Sequence, residues 1–301
     1  MIFCDTHCDY LYNYKKRKEQ SSIKLYKKSD LAVQVFAIFL PPNVKNPILK
    51  TTLQVLRYKA LFFRKNLFIK DLEYATNPSL NTAKKHRIYP ILALEGMKPT
   101  NYSLSILKAL YSAGIKSVSL TWNEDNKFAG GALSYGELKH MGKKALDYIS
   151  TKQMCLDVSH LNEKSFYQAL DYYKGPVMAS HSCCSSINDH KRNLSDAQVK
   201  MILDRNGFIG INFYPDFLIG KGRDASSKDI ANHVDHVCQI GGINNVGFGS
   251  DFSGINKTPV DMQNCTTFYK AAQRLAQMNY NEDEIKKICY SNFYDFIIQF
   301  I

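Results

Sequence analysis

The eight cysteines of this 301-residue chain include no Cys-x-x-Cys pair and follow no regular spacing; their even number permits disulfides, but nothing in the spacing calls for them. Each reads as a small buried filler in a reduced protein. No basic segment followed by a long apolar stretch stands near the start, and nowhere do about 18 apolar residues run together. A secretory leader, a spanning helix and a membrane anchor are therefore not expected, and the predicted location is cytoplasmic. Arginine is scarce, at eight of the 39 basic residues, and the lysines are spread along predicted helices rather than gathered in one block. A nucleic-acid groove would collect arginines with interleaved aromatics. The net charge of +12 reads instead as a solvated basic surface, with no specific nucleic acid as partner.

Hydrophobic residues make up 45% of the chain, enough for one large core in a single domain over residues 1–301. Short apolar runs recur near residues 2, 33, 88, 116, 154, 177, 208 and 246, most of them separated by helix-spaced segments. The run from Leu31 to Leu40 stops at Pro41-Pro42. Ser195-Asp-Ala-Gln198 is a capping box that opens a helix to about Arg205, and Gly241-Gly242 stops a helix from Lys228 to Ile240. Helices are also predicted from Leu104 to Ala113, Tyr135 to Ile149 and Glu163 to Tyr172, and over residues 259–277 and 281–300. Helix-spaced apolar positions (Leu53, Leu56, Ala60, Phe63) mark residues 47–74, and Tyr10 to Lys28 reads as helix and loop. Short, wholly apolar strands alternating with helices imply parallel pairing with both faces covered. Eight such units predict an α/β fold, a TIM-type (β/α)8 barrel. A doubly wound open sheet is the alternative, and its usual Gly-x-Gly-x-x-Gly turn is missing.

In such a barrel the residues that follow the strands converge on one rim. His7 and Asp9 follow the first strand, Glu95 the third, His160 the fifth, His181 the sixth and Asp251 the eighth. The i, i+2 spacing of His7 and Asp9 puts both on one face of a strand end. Singly, each residue has an ordinary reading: a histidine there caps a helix or bonds a carbonyl, and Glu95 is solvated. Their joint placement points to a metal site. Three imidazoles and two carboxylates exceed what one tetrahedral zinc takes, so two metals are expected, about 3.5–4 Å apart and bridged by a carboxylate. Such a pair polarises an amide or ester carbonyl and activates the attacking water. A nearby carboxylate must carry the proton to the departing amine, and Asp251 is the candidate.

Seven stretches, in order along nearly the whole chain, carry a likeness: Asp5-Thr-His-Cys-Asp9, Ala93-Leu-Glu-Gly96, Ser119-Leu-Thr-Trp-Asn123, Leu156-Asp-Val-Ser-His160, Pro176-Val-Met-Ala-Ser-His-Ser182, Lys191-Arg-Asn-Leu-Ser-Asp196 and Val246-Gly-Phe-Gly-Ser-Asp-Phe-Ser-Gly254. As a set they resemble the membrane (renal) dipeptidases, metallo-hydrolases of the amidohydrolase-like barrel superfamily. The opening His7-x-Asp9, where related barrels have His-x-His, favours this branch. The resemblance implies two Zn²⁺ ions: His7 and Asp9 on one, His160 and His181 on the other, and Glu95 bridging. It implies Asp251 as acid and base, and Arg192 as the bidentate partner of the substrate's terminal carboxylate. Where animal members have a histidine that contacts the substrate carbonyl, this chain has Trp122, which donates one hydrogen bond and carries no charge. Asn123 and Asn126 are neutral donors nearby, Asn123 the nearer to the substrate, although loop asparagines more often form turns.

The expected activity is hydrolysis of small dipeptides, with a D-residue tolerated at the carboxyl side. Alternatives are an amidohydrolase acting on another carboxylate-bearing amide (an N-acyl amino acid or a lactam), a basic metal-dependent nuclease, and a non-catalytic peptide-binding relative. A homodimer is allowed, and nothing in the sequence selects an oligomeric state.

Overall fold

Eight parallel strands close in chain order: β1 (Phe3–Asp5), β2 (Leu31–Phe39), β3 (Tyr89–Glu95), β4 (Ile115–Val118), β5 (Cys155–Asp157), β6 (Val177–Ser182), β7 (Phe208–Ile211) and β8 (Val246–Phe248). The last returns to the first through the pairing of Asp5 with Phe248. This is the computed structural model of the chain, and it describes residues 1–16, 18–64, 67–77, 79 and 87–301. The (β/α)8 expectation holds. Strand β2 is buried at all but its last position, as a strand must be when one face fills the barrel and the other meets helices. Its register with β3 sets Phe39 level with Glu95 at the rim.

Local sequence accounts for the helix boundaries. Ser195 Oγ accepts from the Gln198 N–H while the Gln198 side chain accepts from the Ser195 N–H, opening the helix Asp196–Leu203. Helix Ser227–Val237 passes into a π-turn over Cys238–Gly242, where Gly241 takes φ 112°; there a side chain would be strained. Two predicted helices begin late. The first starts at His140 rather than Tyr135, because Asp125 accepts from the Gly136 N–H and Asn162 donates to Gly136 O, fixing a loop before it. The second starts at Tyr269 rather than residue 259, because Asn264 Oδ1 accepts from the backbone and hydroxyl of Thr266 in a turn.

Helix Pro47–Leu61 runs against expectation in another way. Its buried face carries Thr51, Gln54, Tyr58 and Leu61. Gln54 bonds both backbone groups of Phe39, Thr51 donates to Pro99 O, and Tyr58 donates to Pro90 O. The apolar positions Leu53, Leu56 and Phe63 that mark it in the sequence are exposed. Within the segments predicted around it, Arg17 and residues 65–66 lie outside the described residues.

Candidate metal centre

The barrel turns every strand's C-terminal end to one rim, and five of the predicted residues meet there. His7, Asp9, Glu95, His160 and His181 are each at most 6% exposed. Glu95 stands between two groups. Its Oε2 lies 3.3 Å from His7 Nε2, which is itself 3.8 Å from Asp9 Oδ2. Its Oε1 lies 2.9 Å from His160 Nε2 and 3.9 Å from His181 Nε2. The two oxygens of one carboxylate thus face two separate sets of donors. His160 (φ 69°) and Asp251 (φ 60°) both hold the left-handed conformation, which is costly for residues with a Cβ and clusters at functional sites. The His160 carbonyl accepts from Thr121 Oγ1 and from the Ala132 N–H, which secures that backbone.

Hydrogen bonds decide which imidazole nitrogens are bare. The amide oxygen of Asn123 lies 2.8 Å from His160 Nδ1. An amide oxygen only accepts, so Nδ1 carries the proton and Nε2 presents a lone pair. Ser180 gives its hydroxyl proton to Asp157 Oδ2 at 2.5 Å. It can then only accept from His181 Nδ1 at 2.7 Å and, at 3.4 Å, from His7 Nδ1. Asp157 is held in turn by the N–H groups of Ser159 and Ser180. The Nε2 atoms of His160 and His181 sit 2.8 Å apart with no proton between them. Two lone pairs at that distance repel unless a cation lies against them. His7 Nε2, Asp9 Oδ1 and Glu95 Oε2 are buried with no hydrogen-bond partner, and such groups are costly unless something binds them. The residues fit a centre of divalent cations held by nitrogen and carboxylate oxygen.

Electrostatics agree with that donor set. Burial, with the charge of Arg192, pushes His160 down to about 4, and burial holds His181 well below its usual range. Both imidazoles are neutral at pH 7, the form in which a nitrogen can bind a metal. At His7 burial is outweighed by the charges of Glu95 and Asp9, which push it up. That concentration of negative charge suits a cation. Asp251 Oδ2 accepts from Asn212 Nδ2 at 3.1 Å. Burial, then Asp9 and Glu95, push its carboxyl up to about 8 although His7 opposes them. Asp251 faces Asp9 across Gly254, where a Cβ would come within 2.2 Å of Asp9 Oδ2 and 2.3 Å of Asp251 Oδ1.

A cavity of about 470 Å³ opens on this rim, walled by Phe39, Trp122 and Phe217 and floored by Asp9, Glu95, His160 and Asp251. Trp122 packs 5.4 Å from Phe39 and 6.1 Å from His160 between ring centroids. Asn123 lines the cavity too, and its oxygen is engaged with His160. Asn126 forms a turn, accepting from the Phe128 and Ala129 N–H groups. Arg192, 4% exposed, donates from Nη2 to His181 O at 3.2 Å and lies over the Phe217 ring. Its Nε has no partner, and among the described residues it joins no ion pair. It lines a neighbouring cavity of about 310 Å³ that shares His160 with the first. Reasoning from strand ends missed Asp157, Ser180 and Asn212. The first two stood inside quoted motifs, but their hydrogen bonds cross between strands and leave no mark on spacing. Asn212, just after β7, carried no pattern.

The fold and several sequences compare with known proteins. The chain is 29% identical over 262 residues to an uncharacterized dipeptidase of Schizosaccharomyces pombe, covering 80% of this chain and 62% of that protein. It is 30% identical over 197 residues to an uncharacterized protein of the pqqA 5′ region of Klebsiella pneumoniae, covering 62% and 72%. It spans about three fifths of the length of the fission-yeast dipeptidases it matches, 62% of one and 59% of another. Among solved structures, it superposes with TM-score 0.86 at 21% identity on a metallopeptidase from Rhodobacter sphaeroides liganded with a phosphinate mimic of L-Ala-D-Ala, covering 100% and 99%. The dipeptidase AC, of peptidase family M19, gives 0.85 at 23%, covering 100% and 98%. These two likenesses establish the fold. The family model described as membrane dipeptidase (peptidase family M19) matches residues 1–297, and the chain belongs to that family.

Proposed function

We propose that this protein hydrolyses the peptide bond of small dipeptides at a centre of two Zn²⁺ ions. His7 and Asp9 would hold one ion and His160 and His181 the other, with the Glu95 carboxylate facing both sets. Bound there, the ions supply Lewis acidity toward the carbonyl and lower the pKa of water. The chain's own residues do the rest. Asn123, Ser180 and Asp157 fix the imidazoles with Nε2 bare. Asp251, anchored by Asn212, takes the proton of the attacking water and returns it to the leaving nitrogen. Arg192, with a buried Nε that lacks a partner, receives the substrate carboxylate, and Phe39, Trp122 and Phe217 wall the space for side chains. The dipeptide mimic carried by the Rhodobacter relative supports a D-residue at the carboxyl side.

The observation that carries this reading is the approach of two proton-free Nε2 atoms, 2.8 Å apart, beside three buried donor atoms without partners. Eight free cysteines, seven of them buried, favour a cytoplasmic setting. The test measures amino-acid release from L,L and L,D dipeptides and from N-acetyl amino acids, with metal analysis of the same sample. Dipeptides should be cleaved, a chelator should abolish the activity and zinc should restore it. Full activity of metal-free protein, or cleavage of acylated amino acids alone, would overturn the reading.

A further inference from the structure

The helix Pro47–Leu61 is turned inside out. Its core side is pinned by the hydrogen bonds of Thr51, Gln54 and Tyr58. Its solvent side presents Leu49, Leu53 and Leu56, at 57%, 37% and 56% exposure, continued by Phe63 at 88%. The spacing i, i+4, i+7 aligns the three leucines in one stripe. A stripe this apolar and this exposed is a surface made for contact.

Charge tells what kind of contact. Residues 31–70 hold seven lysines and arginines and no aspartate or glutamate. Residues 10–70 hold fourteen basic and two acidic residues, an excess equal to the +12 of the entire chain. The excess of positive charge thus comes from this one stretch of the sequence, against the even spread expected, and the remainder of the chain is balanced. Lys59 flanks the stripe on one side, and Lys50 and Arg57 flank it on the other. Lys15, Lys16, Lys50 and Arg57 line a cleft of about 330 Å³ together with Leu53 and Asn13. Among the described residues none of these four cations joins an ion pair. Asn13 also lines the catalytic cavity, so the patch borders the mouth of the site.

We infer that this face docks the enzyme peripherally on a lipid bilayer that carries anionic headgroups. The leucine stripe enters the boundary between headgroups and acyl chains, while Lys50 and Lys59 extend their charged ends to the headgroups. Lysines and arginines near such a surface are drawn to its negative potential. A second copy of the chain fits less well. A twofold contact would set this cationic border against itself, with no acid on the helix to answer it.

Cosedimentation with vesicles tests the inference. Holoenzyme is mixed with phosphatidylcholine vesicles or with vesicles containing about 30% phosphatidylglycerol, at about 0.1 M salt. The protein should pellet with the anionic vesicles and at least about tenfold less with the neutral ones. The double variant Leu53→Glu/Leu56→Glu should lose binding by at least about tenfold with an unchanged thermal unfolding midpoint. Lys50→Glu/Lys59→Glu, which keeps the stripe, should lose it comparably and serves if the leucine variant misfolds. Absence of binding to anionic vesicles overturns the inference, as does binding that both variants retain. A dimer in sedimentation velocity that the leucine variant dissociates, without vesicle binding, overturns it in favour of a subunit interface.

Discussion

His160 and His181 meet Nε2 to Nε2 at 2.8 Å, each with its proton committed to Nδ1 by a different neighbour, Asn123 for one and Ser180 for the other. The barrel rim holds them in a conflict that a cation resolves. Removing metal should therefore cost stability as well as activity. Chelated protein should unfold at a lower temperature, and zinc at about 100 times its dissociation constant should restore about 2.7 kcal/mol. Thermal melts with metal analysis check this, and two ions per chain are expected.

Asn123 should tune the centre without touching a metal. Asn123→Leu takes the acceptor from His160 Nδ1 and frees the ring to rotate or change tautomer. Metal affinity of one of the two sites should fall by about 10- to 100-fold. Asn123→Asp, which keeps an acceptor there, should hold metal nearly as well as the parent. Competitive titration with a chromophoric chelator reads both values apart from turnover.

Asp251→Asn should leave both metals bound and reduce kcat by a factor on the order of 10²–10⁴, since the amide cannot carry the proton. Its pairing with Asn212 would become amide to amide, so Asn212→Asp makes a useful companion. If kcat of Asp251→Asn stays near the parental value with metal content intact, another group moves the proton.

Strand ends are legible because an apolar run must stop where the barrel meets solvent, and a histidine or acid at that stop stands on the rim. That logic located His7, Asp9, Glu95, His160, His181 and Asp251 without coordinates. It could not see that Ser180 serves two histidines at once, because the link crosses from β6 to β1. It also could not tell inside from outside on the helix Pro47–Leu61. Apolar period 3.6 announces a helix, but polar residues that bond the neighbouring backbone took the buried face. The role of Arg192 came from family likeness alone, since nothing in its spacing distinguishes it.

Arg192 is buried without a carboxylate among the described ion pairs, an arrangement that costs stability until substrate supplies one. Arg192→Met should therefore separate two properties. KM should rise for dipeptides with a free carboxylate and stay unchanged for their C-terminal amides. Urea unfolding should show the variant as stable as the parent or more so, by about 1–4 kcal/mol. A lower stability together with an unchanged KM would contradict the role.

Acid stability turns on a histidine away from the metals. His233, fully buried, accepts at Nδ1 from the Cys184 N–H at 3.1 Å and donates from Nε2 to Leu218 O at 2.9 Å. Both nitrogens are committed in the neutral form, and a second proton at Nδ1 would point at the Cys184 N–H. Burial pushes its pKa down to about 4, against about 6.5 in the unfolded chain. Between those values the unfolded state binds more protons, so stability is full above about pH 6.5 and is lost as pH falls toward 4. The span corresponds to about 3 kcal/mol. His233→Asn keeps an acceptor for Cys184 and cannot titrate. It should start about 1–3 kcal/mol less stable through the lost bond to Leu218, yet lose less on acidification. Urea midpoints of chelated protein at about pH 7.5 and about pH 4.5 measure the difference. Equal losses in parent and variant would assign the acid sensitivity to other groups.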